Sequence, residues 1–588
     1  MKKEKNRQKK IKNNMVNELF SKNSMQLFVM VMIYLLLVLC TYCLFQIIRL
    51  KNCLGLVQTI SFTIPIIYYL LNKCNSDKKL FSKIVVIVLY LFIVMGLPFL
   101  SCKTFDITID GNSYHKTAIA FIKNGWNPIY EKSTDFQENN DNVVQFDENS
   151  KIDIWIEHYP KASWIIAANY YNITNNIESG KCITIILMIM MCILAYNVFS
   201  LFLNKKYSFI ISLLLALNPI LLSQLFNYYI DGIMGMCFSM EILLLFLAIL
   251  YEKKSFDLWL SICSVLSIFV NLKFTGLLYS GIIAAVFYFY WIIKNKKESD
   301  FLDNFKNLTL FFTIVFSVAI FFVGSNSYVL NTIQHHNPLY PLIGKDKEDI
   351  ITEMQPKVFN EISSPQKFVW SLFSKTENVT YGSGKSPELK IPFMVYKSEL
   401  DGLNIPDARI AGFGPLFALT LIISLLCFII CSIKLIKNDK KIFVHIGLIC
   451  LIMILTVILV GEGWWARYVP QLFFIPIGVL VLIGYVYKYF NNKKFTYVLG
   501  GLLGLVLVIN SSFFISVDVK NLSIFKQIHE DITMMQNKPN LIIQKNDNDL
   551  VGSYYNLKDN NIKYTLVNKL DDDKALYVYN WRFKIENN

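Results

Sequence analysis

The chain has 588 residues, 54% of them hydrophobic, 15% aromatic and 17% charged, with a mean hydropathy of +0.42. Soluble domains are rarely this apolar, and the long uncharged runs place the chain among integral membrane proteins. The net charge of +14 does not call for a nucleic-acid partner, because much of the Lys/Arg excess falls in short segments between apolar runs, as the positive-inside rule expects.

The chain opens on a basic stretch, MKKEKNRQKKIKNN, read as a cytoplasmic tail over residues 1–25. The apolar run Gln26–Ile48 is too long for a signal-peptide core and has no small-residue cleavage site nearby, which predicts a retained anchor. At roughly 20 apolar residues per crossing, hydropathy gives about 13 spans. They lie near 26–48, 54–72, 82–101, 181–203, 207–225, 230–251, 256–272, 274–293, 308–324, 411–433, 442–460, 466–487 and 495–515. Segments Lys73–Lys83, Asn204–Lys206, Glu252–Asp257, Lys294–Asn307, Lys434–Lys441 and Lys488–Lys494 each carry at least two basic residues and are assigned to the cytoplasm. Arg49–Cys53, with Arg49 and Lys51, is the exception on the other side. The expected fold is an all-α polytopic membrane protein in the cell membrane, with a cytoplasmic N-terminus and an extracytoplasmic C-terminus.

Three regions face outward in this reading: a first loop over 102–180, a second over 325–410, and the tail over 516–588. They separate span groups within 26–101, 181–324 and 411–515. Most of the 12 cysteines sit in apolar runs, so the outward regions have no disulfide framework. The tail mixes LIIQ, YTLV and ALYVY with the helix-like IFKQIHEDITMM, which predicts a small α/β cap. Asp571–Asp573 reads as a solvated acidic turn.

The first loop begins FDITIDGNSYHKTAIAFIKNGWNPIYE (Phe105–Glu131). Asp110 or Asn112 can cap a helix running to about Asn124, Gly125 suits its C′ position and Pro128 blocks continuation. Tyr114, Ala118, Phe121 and Ile122 share one side, which predicts a helix lying on the membrane surface. A second helix is expected from Pro160.

Several residues can carry chemistry. Asp106 and Asp110 follow the third span, where a carboxylate can act as general base; Asp110 reads equally as a helix cap. Tyr114 and His115, one turn on, suit either substrate contact or interfacial anchoring, and His158 beside Glu157 has the same two readings. Asp231 and Lys273 sit at outward span ends, where ionisable groups are functional candidates or each other's partners. Glu241 lies deeper and needs a polar partner. Arg467 in GEGWWARYVP can clamp a phosphate or snorkel beside Trp464 and Trp465, with Glu462 as an ion-pair partner. His335 and His336 do not read as a metal site, since adjacent residues point apart and no further ligand stands at the right spacing.

The combination of D-G-N-S-Y-H with GWNPIY in the first loop, LNPILLSQLFNYYIDG, NPLYPLIG and ARYVPQLFFIP resembles the GT-C class of integral-membrane glycosyltransferases, which includes protein O-mannosyltransferases and aminoarabinose transferases. The resemblance implies transfer of a sugar from a polyprenyl-phosphate donor to a glycan, lipid or protein acceptor at the extracytoplasmic face. It assigns the base to Asp110, or else Asp106, and the arginine of an R-Y-x-x-P-like stretch to Arg467, followed by Tyr468. Two departures stand out: the mannosyltransferases have adjacent acidic residues where Asp106 and Asp110 are four apart, and Pro470 comes one residue early. A prenyl phosphate leaves readily, so the chemistry needs a base and positive charge rather than a strong acid, and single inverting displacement is expected. The need for a divalent ion stays open. A lipid-linked oligosaccharide polymerase or ligase, or a polytopic transporter or flippase, are the alternatives; outward clustering of the polar groups and the lack of repeated halves favour an enzyme.

Overall fold

A computed structural model gives residues 18–72, 75, 78–140, 143, 151–250, 255–378, 386–490, 493–538, 541–545, 550–570 and 575–585. Most of the basic N-terminal tail and the Asp571–Asp573 turn therefore lie outside the described residues. Within them, eleven helices are long and apolar enough to cross a membrane. Helices are the natural solution, because a spanning backbone must satisfy its own polar groups. Asn23–Ile47, Ile177–Phe199, Asp231–Ile249 and Pro470–Phe490 are mostly buried and form the inner set. Leu54–Leu71, Phe301–Asn326 and Lys440–Val460 leave most of their apolar surface on the outside.

Two of the expected spans are shorter than the hydropathy suggests. The segment near 207–225 is broken into Lys205–Leu215 and Pro219–Ser223. Asn218 causes the break: its Oδ1 accepts from Ile220 N at 3.1 Å and starts a new helix with Pro219 in its first turn. The segment near 256–272 is a 15-residue helix, Phe256–Val270.

The last span differs in the opposite direction. It continues without a break as Lys493–Gln536, 44 residues, or about 66 Å at 1.5 Å per residue. No Gly or Pro interrupts the helix after Gly504, and Phe525, Ile528, Ile532 and Met535 keep a buried helical stripe beyond the span. That stripe packs under a four-stranded sheet: β1 (Leu541–Gln544), β2 (Tyr564–Val567), β3 (Leu576–Val578) and β4 (Trp581–Ile585), in the order β2-β1-β4-β3. β1 runs parallel to β2, with Leu541 opposite Tyr564, and antiparallel to β4, with Ile543 opposite Phe583. The crossover between β1 and β2 contains the helix Tyr554–Asp559, so the tail is a small α/β unit as expected, and the helix-like stretch before it belongs to the last span.

The first-loop helix starts one turn earlier than expected. Thr108 caps it, its Oγ1 accepting from Gly111 N at 3.1 Å; Asp110 is already helical and caps nothing. A wide turn over Gly111–His115 leads into Lys116–Lys123. The helix ends at Gly125 (φ 99°), with Gly125 N on Ile122 O and Trp126 N on Phe121 O, the paired bonds of a Schellman ending. It does not lie on the surface: every residue from Lys116 to Ile122 is buried. The helix Ala162–Thr174, which begins two residues after Pro160, packs on it, and Gly552 of the C-terminal unit sits against Asn112 and Lys116.

Gly111 allows the loop to close. A Cβ there would stand 1.9 Å from Asp106 Oδ2 and 2.4 Å from its Cγ, and Asp106 is fully enclosed. Gly111→Ala is expected to destabilise the protein by about 1–3 kcal/mol, read as a lower melting temperature in detergent. An unchanged melt would mean that the loop can open at little cost.

Candidate active site

On one side of the bundle, the ends of several spans bring one cationic side chain against three carboxylates. Arg467 stands on a short turn, Ala466–Tyr468, between Gly461 (φ 74°), which ends one span, and Pro470, which begins the next. Its backbone pairs with the second outer loop: Arg467 N donates to Ala408 O at 3.2 Å and Ala466 N to Arg409 O at 3.1 Å. This pairing sets Asp407 beside the guanidinium. Asp110 approaches from the first loop, and Asp231 from the first turn of its span.

Arg467 Nε is 3.0 Å from Asp407 Oδ1, and Nη1 is 3.6 Å from Asp110 Oδ2 and 3.7 Å from Asp231 Oδ2. Arg409 Nε holds the other oxygen of Asp407 at 2.5 Å, and Lys273 Nζ holds Asp231 Oδ1 at 2.8 Å. Asp231 and Lys273 are thus each other's partners, as one of the two readings expected. Aromatic rings wall the cations: Arg467 lies over Tyr229, Trp465 and Tyr468, Lys273 over Tyr468, and Arg409 over Trp465.

Two properties set Asp110 and Arg467 apart. The Asp110 side chain is 29% exposed, against 4% for Asp231 and 6% for Asp407, so it is the carboxylate that a substrate can reach. Its close neighbours include Arg467, Tyr229 and Tyr114, whose Oη donates from 3.5 Å. Burial raises its pKa, with Arg467 pulling the other way. Arg467, for its part, makes ion pairs but, among the described residues, no aligned hydrogen bond from its side chain. Nε has none despite the nearness of Asp407, and the Nη1 contacts are beyond hydrogen-bond reach.

The remaining candidates divide. Tyr114 lines the same place, edge-on to Tyr159, and Tyr468 closes it from below Lys273. Asp106 is elsewhere: its carboxylate accepts from Thr108 N, Thr108 Oγ1 and Tyr228 N at 2.6–2.8 Å, so it is committed to holding the loop. His115 is buried as the acceptor of Trp164 Nε1 at 2.7 Å, and burial pulls its pKa down to about 3. His158 is bound to Asn331 at 2.8 Å, with burial pulling it to about 4. Both rings are therefore neutral at ordinary pH. Glu462 is not the partner of Arg467; it accepts from Trp464 Nε1 at 2.6 Å, because the turn at Arg467 faces Asp407 instead. Glu241 finds Ser280 Oγ at 3.1 Å. His335 stacks on Tyr340, while His336 ends the helix in a left-handed conformation.

Asp407, Arg409, Tyr159 and Tyr229 join the site without a role expected from sequence, while Trp465 was expected beside Arg467 and lies under it. The one available signal was the scarcity of arginine, with Arg409 and Arg467 both next to span ends. Among the described residues no group of three or more His, Cys, Asp or Glu is arranged to hold a metal ion.

Residues 157–322 match the family described as dolichyl-phosphate-mannose-protein mannosyltransferase. The match includes Asp231 and Lys273, and Asp110 and Arg467 lie on either side of it. No curated protein matches the chain. Together with the many apolar helices, this match, which covers less than a third of the chain, supports a membrane glycosyltransferase of the GT-C-like class.

Proposed function

We propose that the protein transfers a sugar from a polyprenyl-phosphate donor to an acceptor hydroxyl or amine at the extracytoplasmic membrane face, with inversion at the anomeric carbon. The observation that carries this reading is the pairing of the accessible Asp110 carboxylate with Arg467, whose Nε has no aligned hydrogen bond among the described residues. A carboxylate whose pKa is raised by burial is a stronger base than an ordinary one. A guanidinium presents the fork that a phosphate accepts.

In the reaction, the acceptor oxygen or nitrogen attacks the anomeric carbon while its proton passes to Asp110. The bond from that carbon to the phosphate oxygen breaks, and its electron pair leaves with the polyprenyl phosphate. Arg467 meets the charge that develops on that oxygen, and Lys273 supports it from the Asp231 side. Asp407 and Arg409 fix the Arg467 turn. The family name describes dolichyl-phosphate mannose and a protein acceptor; for this chain the proposal keeps the chemical class of the donor and leaves the sugar and acceptor to experiment. A divalent ion has no assigned role.

The test is turnover of radiolabelled polyprenyl-phosphate monosaccharides by the full-length protein in liposomes. Arg467→Lys keeps the charge but loses the fork, and is expected to lower turnover on the order of 10²-fold. Failure of the wild type to bind or turn over any donor in a broad panel would overturn the donor class. A product of retained configuration would overturn the single displacement.

A further inference from the structure

The second outer loop contains an apolar segment that the site does not use. In Leu389–Val395, five of seven residues are large, apolar and exposed: Leu389 65%, Ile391 52%, Phe393 63%, Met394 43% and Val395 38%. Soluble surfaces scatter such residues singly; a contiguous group marks an interface.

The segment is also held in a fixed place. Lys390 N donates to Phe373 O and Lys375 N to Glu388 O, and Trp370 Nε1 donates to Pro387 O at 3.0 Å. Beneath the apolar tip, the buried Lys390 pairs with Glu399 at 2.5 Å and donates to Pro415 O at 2.8 Å. Pro415 lies two residues before Phe417, where the span Phe417–Asn438 begins. That span shows an exposed apolar face, including Leu425, Leu426 and Ile429. The exposed segment is thus tied to the level at which a lipid-facing helix enters the membrane.

We infer that Leu389–Val395 inserts into the acyl-chain region of the leaflet on the side of the site, as a membrane-dipping loop. The occupant is bulk phospholipid. Lys375, stacked on Tyr396, and the exposed Lys397 flank the tip, where long cationic side chains reach the headgroups. The loop also bears on the site. Glu399 accepts from Thr376 N at 2.8 Å, Glu377 pairs with Ile410, and the chain then runs through Asp407 and Arg409. Insertion fixes the height of that strand relative to the bilayer. The inference does not depend on the donor proposed above, and its test needs no turnover.

The full-length protein carrying Phe393→p-benzoylphenylalanine is irradiated in vesicles of phosphatidylcholine and phosphatidylglycerol with tritiated acyl chains and no polyprenyl phosphate. Leu425, on the lipid face of a span, and Tyr577, 74% exposed on β3, take the same substitution as controls. Label at position 393 equal to that at 425, with none at 577, is the expected result. In the unsubstituted protein, a carbene-generating phospholipid is expected to label the peptide containing 389–395. Loss of label at 393 to the level of 577, cross-links to a protein, or lipid label that appears only when polyprenyl phosphate is added would each overturn the inference.

Discussion

Asp110→Asn is expected to lower kcat by about 10²–10⁴-fold, the usual worth of a general base, while leaving the fold intact. The substitution is nearly isosteric, and the amide oxygen can still accept from the groups around the carboxylate, Arg467 at 3.6 Å, Tyr114 at 3.5 Å and Tyr229. The pH dependence gives the sharper test. Burial favours the protonated acid, so the active carboxylate forms only as pH rises through a value above the ordinary Asp pKa of about 3.9. The rate should therefore fall on the acid side, with a limb above the ordinary carboxylate range. That limb should be missing from the residual activity of Asp110→Asn. In Arg467→Gln it should move to higher pH, because Arg467 is the neighbour that pulls the pKa down. His115 and His158, whose pKa values lie near 3 and 4, are not expected to contribute a limb near pH 6.5. An acid limb that survives Asp110→Asn unchanged would assign the base to another group.

Glu178→Gln is expected to cost about 3–5 kcal/mol of stability, the penalty for leaving buried charge without its counter-charge. Glu178 is fully buried and accepts from Lys116 Nζ at 2.5 Å and from Lys181 Nζ, both themselves enclosed. It also accepts from Asn556 Nδ2 at 2.8 Å and from Asp106 N at 3.0 Å. With Asp106 the group is two anions against two cations, so removing one anion leaves a surplus positive charge inside the protein. Thermal unfolding in detergent should report the loss. Replacing Lys116, Glu178 and Lys181 together by Met should recover much of it, since a well-packed apolar core can match or exceed a buried ion network. Equal melting of wild type and Glu178→Gln would show that water or a shift of Asp106 balances the charge.

The spans were legible because a run of apolar residues has only one common fate in lipid. Two were expected too long because hydropathy does not register the Asn218–Pro219 restart or the early end of the helix at Val270, and the last was expected too short because its helix continues to Gln536. Asp110, Asp231, Lys273 and Arg467 stood out because charge at a span end is costly without a purpose. Asp407 gave no such signal: it lies in a long polar loop, and only the backbone pairing of Ala408 with Arg467 makes it a neighbour of the guanidinium. Asp106 and Asp110 looked alike in a stretch of five residues, yet the turn after Thr108 points one inward and leaves the other open. The surface-helix reading failed because a half-polar helix can also be enclosed, once its lysine finds a carboxylate.

The ties between the first outer loop and the C-terminal unit set a schedule for biosynthesis. Lys116 is made early, but its partner Asn556 is 440 residues away, and Tyr579, which donates to Asp106 O and Asn112 Oδ1, is more than 460 residues from either. Through most of translation the segment bearing Asp110 is already synthesised while the groups that enclose it do not exist. A nascent chain therefore carries an unfinished, charged loop until Asn556 and Tyr579 have emerged, and a product truncated before Asn556 would carry that defect permanently.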